Sequence, residues 1–266
     1  TTSIPWSLAV ATVVAGMPRV QASKSAMALT RPVEAALMMA ERWPPMARIA
    51  SEKRAFSSFL GGGLSIAEKL FLEVEEVFCK PTVDVDVTFP TISSYYCKFL
   101  LDTARPLASL NRLLKTFAWR NRKSWQVSVD TTSILASDIL VLGLTFLAMG
   151  DKVNAKLQLD KQVDLLKRAD EWLYLPTGLN GRARYYLAVH DFDVAIKDLE
   201  AALEISRRTG ARFGEWETYL ELAKVHVTMG DLERGRECLS SAQALPNMKN
   251  FKFRDQEIEC LEQELF

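Results

Sequence analysis

The main pattern in the chain is a pair of hydrophobic segments that occurs three times in its second half. Residues 134–149 are apolar on almost every face, which is typical of a helix buried between others. From Lys152 onward, apolar residues recur at the three-to-four spacing of an amphipathic helix. The same two segments recur at residues 179–189 with 191–208, and at 216–229 with 231–244. The sequence therefore predicts three helix hairpins, each joined by a short turn.

The three predicted hairpins align at a constant offset of 40 residues, which separates Asp151 from Asp191 and Asp191 from Asp231. After each aspartate comes a small residue and then a leucine, at steps of four. The small residues are Ala155, Ala195 and Gly235, the leucines are Leu159, Leu199 and Leu239, and Gly143, Ala183 and Ala223 are in register before the turn. A period of this size indicates stacked supersecondary units, each of which buries its apolar face only against its neighbours.

Upstream the periodicity is weaker, but it still predicts helices. We expect helices at residues 32–42, 52–60, 65–78, 92–101 and 106–119. Gly61 to Gly63 form a turn, and Ser65 with Glu68 form a capping box. Alternating Val and Asp between prolines predict an extended linker near residues 81–91, with a short strand as the alternative.

The resulting domain organisation has three parts. Residues 1–130 are predicted to form divergent helical repeats, residues 131–245 three helix hairpins, and residues 246–266 a capping helix. Residues 4–17 are apolar and are interpreted as the first helix of the array. A targeting segment is the alternative, but no Lys or Arg precedes this stretch, as a charged leader would require.

The segments LGLTFLAMGD, ARYYLAVHD and LAKVHVTMGD, with the small and leucine positions that follow them, resemble the tetratricopeptide repeat (TPR). The resemblance implies an all-α fold, a superhelical solenoid of about five antiparallel helix hairpins. The chain departs from the family in its 40-residue period, where about 34 is usual. Arg182 also replaces an apolar residue, and His190 replaces the turn glycine. We therefore expect longer helices and one looser turn.

A second resemblance concerns the segments TISSYYCKFLLD, YLPTGLNGRARYY and LELAKVHVTMGDLERGRECLSSAQAL. They are similar to the C-terminal sensor arrays of large bacterial STAND-type signalling ATPases. This similarity implies a sensor or scaffold role, although the chain shows no nucleotide-binding module of its own.

The TPR resemblance also implies a concave groove lined by the first helix of each hairpin. The residues that would face it are Leu140, Leu144, Leu147, Asn180, Arg184, Leu187, Glu217, Leu220 and Lys224. Arg184 and Lys224 are one period apart and would form a two-cation row for a carboxylate or acidic segment. The alternative is that both are ordinary solvated charges. If the row binds a partner, reversing both charges is expected to abolish capture without changing the melting temperature.

Composition excludes several function classes. Lys plus Arg equals Asp plus Glu at 33 each, so no net field attracts nucleic acid or an anionic membrane. Four cysteines without a CxxC pair and two histidines provide no metal-ligand cluster, and we expect buried thiols in a cytoplasmic protein with no metal or cofactor. No apolar run reaches the ~18 to 20 residues that span a bilayer.

Three further motifs resemble known binding sites, but each has a simpler structural explanation. The triple glycine lacks the Lys-Ser/Thr pair of a phosphate loop. Asp84 and Asp86 lack further ligands at calcium-loop spacing, which favours a solvated linker. The stretch from Arg112 to Trp125 mixes basic and aromatic residues, as single-stranded nucleic-acid sites do. The neutral chain argues against nucleic acid, and a cationic helix end that enters a loop explains the same residues.

The two histidines give no sign of catalysis. His190 and His226 occupy non-equivalent repeat positions, and neither lies near a nucleophile at motif spacing. His226 is instead expected to be a packing residue, because Phe146 and Tyr186 are its equivalents.

These observations predict a non-enzymatic, cytoplasmic interaction or scaffold module that binds a protein or peptide in the groove, within a signalling or regulatory assembly. Two alternatives remain: a small-molecule or peptide sensor domain of a STAND-type regulator, and an accessory subunit of an enzyme complex.

Overall fold

The computed structural model describes residues 44–78, 93–122, 129–246 and 248–266, and these contain helices and no strand. The α-helices are α1 (Pro44–Leu60), α2 (Leu64–Phe78), α3 (Ser93–Asp102), α4 (Pro106–Arg122), α5 (Val129–Ala148), α6 (Lys152–Arg168), α7 (Leu175–Ala188), α8 (Phe192–Thr209), α9 (Arg212–Met229), α10 (Leu232–Ala244) and α11 (Asp255–Leu265). Short 3-10 turns at Met248–Asn250 and Lys252–Arg254 precede α11. The helices predicted at residues 4–17 and 32–42 and the linker near 81–91 lie outside the described residues.

The chain forms two compact units, Thr1–Ile134 and Leu135–Phe266. Consecutive helices pack as pairs: α1 with α2, α3 with α4, α7 with α8, and α9 with α10. Helix α5 packs on α6 at Gly143, where an added methyl group would lie 2.7 Å from Cγ of Leu159. The part of the chain that the structure describes therefore contains five helix hairpins, and the predicted all-α, TPR-like class is confirmed.

In the first unit, the α1–α2 turn is built from the triple glycine. Gly62 has a φ of +82°, a left-handed conformation that favours glycine, and the amide of Gly63 donates to the carbonyl of Ser58 at 2.8 Å. These glycines therefore close a helix turn rather than a phosphate loop.

Two helix starts in this unit differ from the prediction. Helix α1 begins at Pro44 rather than at residue 52, because proline is tolerated in the first turn, where its missing N–H has no helical partner. Helix α2 begins at Leu64, so Ser65 lies inside the first turn and is exposed. Glu68 instead accepts a hydrogen bond from Arg105 at 2.5 Å. The predicted capping box is wrong.

Aromatic side chains form the core of the first unit. Phe59 and Phe99 meet edge to face at 5.5 Å between ring centroids, and Phe71 stacks on Tyr96 at 4.8 Å. Phe59, Phe99 and Phe71 are buried. Such pairs add about 0.5–1.5 kcal/mol beyond the burial of their area.

The first helices of the three repeats begin earlier than the periodicity predicts: α5 at Val129, α7 at Leu175 and α9 at Arg212. The start of α7 has a clear physical cause. Leu175 is buried in a cluster with Val163 and Leu166, and Pro176 occupies the first turn. This contact with α6 stabilises a helical turn that local sequence alone does not indicate.

The three turns of the repeats have the same geometry. In each, the amide of the aspartate donates to the carbonyl five residues before it at 2.9 Å. Gly150 and Gly230 have φ values of +80° and +82°, and His190, at the equivalent position, has a φ of +60°. The expected looser turn is therefore wrong, because His190 adopts the left-handed conformation of the glycines that it replaces.

The small residues of the repeat lie where helices approach most closely. Ala155, Ala183, Ala195 and Ala223 are completely or almost completely buried. At Gly235, an added methyl group would lie 2.9 Å from Cδ2 of Leu265 and 3.3 Å from Cγ2 of Val227. The 40-residue alignment thus corresponds to equivalent packing positions.

Arg182 replaces a leucine of the other repeats, Leu142 or Leu222, and makes a different contact. Its guanidinium donates two hydrogen bonds of 2.7 Å to the largely buried carboxylate of Asp198 on α8. A third, longer bond of 3.4 Å reaches Asp160 on α6. Arg182 therefore links α7 to the second helices of two successive hairpins.

Ala195→Leu is expected to overpack the α7–α8 hairpin, because Ala195 is completely buried beside Ala183 and Leu199. We expect a loss of roughly 1 to 3 kcal/mol in the free energy of unfolding, measured by denaturant titration. Ala244→Leu at the exposed end of α10 is the control. Equal stability of the two variants would contradict this packing.

Arg182→Leu is expected to lower the free energy of unfolding by roughly 2 to 4 kcal/mol, because the largely buried carboxylate of Asp198 loses its main partner. The double variant Arg182→Leu with Asp198→Cys installs the residues of the third repeat, Leu222 and Cys238. It should recover most of the lost stability in a double-mutant cycle. Additive losses would show that the pair does not act as a unit.

Candidate functional site

The first helices of the second and third repeats, α7 and α9, lie side by side and are joined by polar contacts. The hydroxyl of Thr218 on α9 donates to Oδ1 of Asn180 on α7 at 3.0 Å. The guanidinium of Arg184 on α7 donates to Glu221 on α9 at 2.9 Å. These contacts fix the spacing of the two helices, which the TPR resemblance predicts to line the inner side of the array.

Four of the predicted groove residues do not present a surface to a partner. Leu220 is completely buried, and Leu140, Asn180 and Glu217 are also buried. The contacts of Asn180 and Leu140 show why. Asn180 bonds to α9, and an added methyl group at Gly181 of α7 would collide with Leu140 of α5. Asn180 and Leu140 lie between neighbouring first helices, whereas Leu220 packs with residues of α10 and α11, and Glu217 lies 3.7 Å from Arg254. These four side chains are therefore buried in packing and are not exposed in an open groove.

The other five predicted residues, Leu144, Leu147, Arg184, Leu187 and Lys224, are partly exposed. One period after Leu187, Val227 is partly exposed as well. Leu147, Leu187 and Val227 form a series that we call the inner apolar row. The next position along each helix, occupied by Ala148, Ala188 and Thr228, is exposed.

Arg184 and Lys224 are not two unpaired cations. Between them lies Glu221, which is buried and was not singled out from the sequence. Its carboxylate is 2.6 Å from a guanidinium nitrogen of Arg184 and 3.0 Å from the ammonium nitrogen of Lys224. Arg254, from the 3-10 turn before α11, makes a third contact at 3.0 Å.

These cations determine the charge state of Glu221. Burial by itself would raise its pKa, but Arg184, Lys224 and Arg254 outweigh burial and hold the pKa well below the usual 4.5. The carboxylate therefore stays ionised at neutral pH. Reversing both Arg184 and Lys224 would place two carboxylates beside this buried anion, so we now expect the double reversal to lower the melting temperature.

The C-terminal segment completes this cluster. Arg254 is buried and also lies 3.7 Å from Glu217 and 3.5 Å from Glu257, while Lys224 pairs with Glu257. Phe251 packs beside Trp216 of α9, with ring centroids 5.8 Å apart. The segment after α10 thus packs on α9 through both ion pairs and aromatic contacts.

The cysteines only partly fit the expectation of buried thiols. Cys97 is buried, whereas Cys260 on α11 is exposed. Burial raises the pKa of the Cys238 thiol to about 11, so it stays protonated and is a poor nucleophile. Cys79 lies outside the described side chains.

The basic and aromatic stretch on α4 is used inside the first unit. Phe117 is completely buried, Arg112 donates to Glu75 at 2.6 Å, and the buried Arg120 lies over the Phe117 ring. Trp125 lies outside the described residues, as do Asp84 and Asp86. Within the described ranges, no group of His, Cys, Asp and Glu is placed to hold a metal ion, and no helix is long and apolar enough to cross a membrane.

His226 is buried at the end of α9, as its alignment with Phe146 predicts. Burial lowers its pKa from the ordinary 6.5, and Arg234 acts in the same direction. Asp231, whose carboxylate is 3.8 Å from Nδ1, opposes this shift, as do Glu200 and Glu237. His190, by contrast, is exposed at its turn. The two histidines therefore lie in different surroundings, one buried and one exposed.

His226→Phe is expected to reduce the pH dependence of stability. The unfolded chain protonates His226 near pH 6.5, whereas the folded chain resists protonation, so this residue lowers stability as the pH falls below 6.5. Melting temperatures between pH 7.5 and 5.5 should fall less in the variant than in the parent. His190→Gln should keep the parent slope, and a parental slope in His226→Phe would contradict the assignment.

Comparison with known proteins supports the fold. No protein-family model and no curated protein matches the chain. A crystal structure of a Podospora anserina protein, named after the kinesin light chain and built of nearly identical TPR-like repeats, matches with a TM-score of 0.52 and 17% identity. The match covers 80% of this chain and 98% of that one.

A second solved structure, the TPR2AB domain of yeast Sti1 in complex with pHSP90, is more distant. It has a TM-score of 0.33 and 12% identity, covering 86% of this chain and 98% of that one. The first similarity, together with the five hairpins, gives the chain a TPR-like helical-repeat fold.

Proposed function

We propose that this chain is a non-enzymatic protein-interaction module that binds a protein or peptide segment along the inner side of α5, α7 and α9. The observation that carries the proposal is the inner apolar row of Leu147, Leu187 and Val227. These three residues recur at 40-residue steps and stay partly exposed, although each lies next to a well-packed core. A repeated apolar series on adjacent helices suits a ligand that runs across the helices.

The residues beside this row favour the same use. Ala148 and Ala188 are exposed, and their short side chains leave space for the backbone of a bound segment. Leu144 and Arg184 precede the row on the same two helices. A bound segment would therefore meet an apolar strip bordered by small side chains, with Arg184 as a polar contact.

The proposal does not include catalysis. Arg184 on α7 and Lys224 on α9 are bonded to the buried Glu221, which keeps its charge through these contacts and that of Arg254. This network stabilises the packing of the helices, and we assign it no part in catalysis.

The proposed setting is a cytoplasmic signalling or regulatory assembly, as the similarity to STAND-type sensor arrays implies. A domain that senses a small molecule or peptide would use the same surface, and so would an accessory subunit of an enzyme complex. A metabolite that raises the melting temperature would identify a sensor, since a ligand that binds only the folded state stabilises it. A partner that co-purifies at fixed stoichiometry would identify a scaffold or subunit.

The test begins with affinity purification of the chain from the cytoplasmic fraction of its native cell and identification of bound proteins by mass spectrometry. Binding of the purified partner is then measured by titration calorimetry. The double variant Ala148→Arg with Ala188→Arg fills the exposed margin of the inner row with long side chains. We expect it to weaken binding at least ~10-fold, corresponding to about 1.4 kcal/mol.

Ala244→Arg is the matched control, because Ala244 is also exposed near the C-terminal end of a helix but lies on a second helix, α10. It should bind like the parent chain. Equal binding by the double variant would place the interaction elsewhere and refute the proposed surface. Turnover of a substrate by the isolated chain would refute the non-enzymatic assignment.

A further inference from the structure

Helix α6 exposes two large apolar residues that the repeat does not require. Val153 is 80% exposed and Leu157 is 57% exposed, one helical turn apart. The equivalent residues are Asp193 and Lys197 on α8, and Glu233 and Glu237 on α10. Since charged residues occupy these positions in the other two repeats, the apolar pair has no role that the fold itself demands.

The apolar pair forms part of a pocket between α6 and α7. The pocket has a volume of about 450 Å³. It is lined by Lys152, Val153, Lys156, Leu157, Asp160 and Tyr185. This volume lies within the range of sites that bind small molecules or single side chains of a partner.

The charges of this pocket differ from those of the corresponding surfaces in the other repeats. Helix α6 carries five basic and two acidic side chains, whereas α8 carries three and four, and α10 two of each. The ammonium of Lys152 donates only a 3.3 Å bond to the carbonyl of Ala188. Lys156 donates to Asp160, which is also 3.4 Å from Arg182. Lys156 can therefore turn toward a ligand without leaving Asp160 unpaired.

We propose that the α6–α7 pocket is a second docking site, which takes an acidic segment of a partner protein with one large apolar dipeptide, such as Leu-Phe, at its centre. This dipeptide packs on Val153, Leu157 and Tyr185. Carboxylates on either side of it bind the ammonium groups of Lys152 and Lys156. This site shares no residue with the inner apolar row, and the proposal does not depend on the function proposed for that row.

The probe for this site is a fluorescein-labelled peptide of sequence EDLFEE, measured by fluorescence anisotropy with the full chain. Its controls are EDSSEE, which lacks the apolar side chains, and KKLFKK, which has the opposite charge. We expect saturable binding of EDLFEE at least ~10-fold tighter than that of either control, and weaker at higher salt. Absence of saturable binding up to ~1 mM, or equal binding of the three peptides, would overturn the proposal.

The double variant Val153→Asp with Leu157→Lys installs the residues of the second repeat, so it should fold. Because it adds one acidic and one basic side chain, it leaves the net charge unchanged. It should abolish binding of EDLFEE. The control is Leu173→Lys, because Leu173 is also 57% exposed but does not line the pocket. It should bind like the parent. Retained binding by the double variant, or equal loss in the control, would overturn the site.

A second copy of the chain is the competing occupant, because α11 carries five acidic and no basic side chains. Sedimentation velocity at increasing concentration distinguishes the two. We expect the parent chain either to stay unassociated as its concentration rises, or to associate to the same extent as the double variant. If such association is seen, the pocket joins copies of this chain, and the proposed external partner is wrong.

Discussion

Close contact between helices at small side chains is the constraint on which the second unit depends. At Gly143 there is no room for a methyl group beside Leu159, and Ala195 is completely buried in the α7–α8 hairpin. Because the small residue and the leucine recur in register, each hairpin presents the same shape to its neighbours. A unit that buries its apolar face only by stacking gains little stability alone, so these contacts determine the architecture.

Electrostatic contacts add to this packing where the repeats differ from one another. Arg182 replaces a buried leucine, and its charge is tolerated because Asp198 and Asp160 surround the guanidinium. Glu221 is buried as well, and Arg184, Lys224 and Arg254 keep its carboxylate ionised. Both clusters hold helices from successive repeats together, and both use charges that would otherwise be available to a ligand. Binding is therefore expected mainly from the partly exposed apolar residues, with Arg184 as a polar contact beside them.

The repeat also separates residues that maintain the fold from residues with another use. Where all three copies carry a small residue or a leucine, the position is buried and packing explains it. Where one copy is apolar and the others are charged, as at Val153 and Leu157, the fold gives no reason for the difference. Internal repeats thus provide a comparison within a single chain, because each hairpin serves as a structural control for the others.

The sequence by itself determined the hairpins, their order and their register. Gly150 and Gly230 mark the turns, the aspartates after them begin the second helices, and the leucines identify the buried faces. These features are local or periodic, so they can be read without coordinates. Weaker apolar patterns were less informative. The first turns of α1, at Pro44, and of α7, at Leu175, were missed because proline tolerance and tertiary contacts, rather than periodicity, set those starts.

Only the tertiary structure decided which residues of the candidate site meet solvent. The TPR resemblance predicted groove positions on the first helices but could not show that Asn180 bonds to α9 or that Leu220 packs with α10 and α11, because these contacts depend on side chains in other helices. It also could not show that Arg254, distant in sequence, reaches Glu221. The partners of a buried charge are set by three-dimensional packing, and the one-dimensional period has no information about contacts that occur in only one repeat.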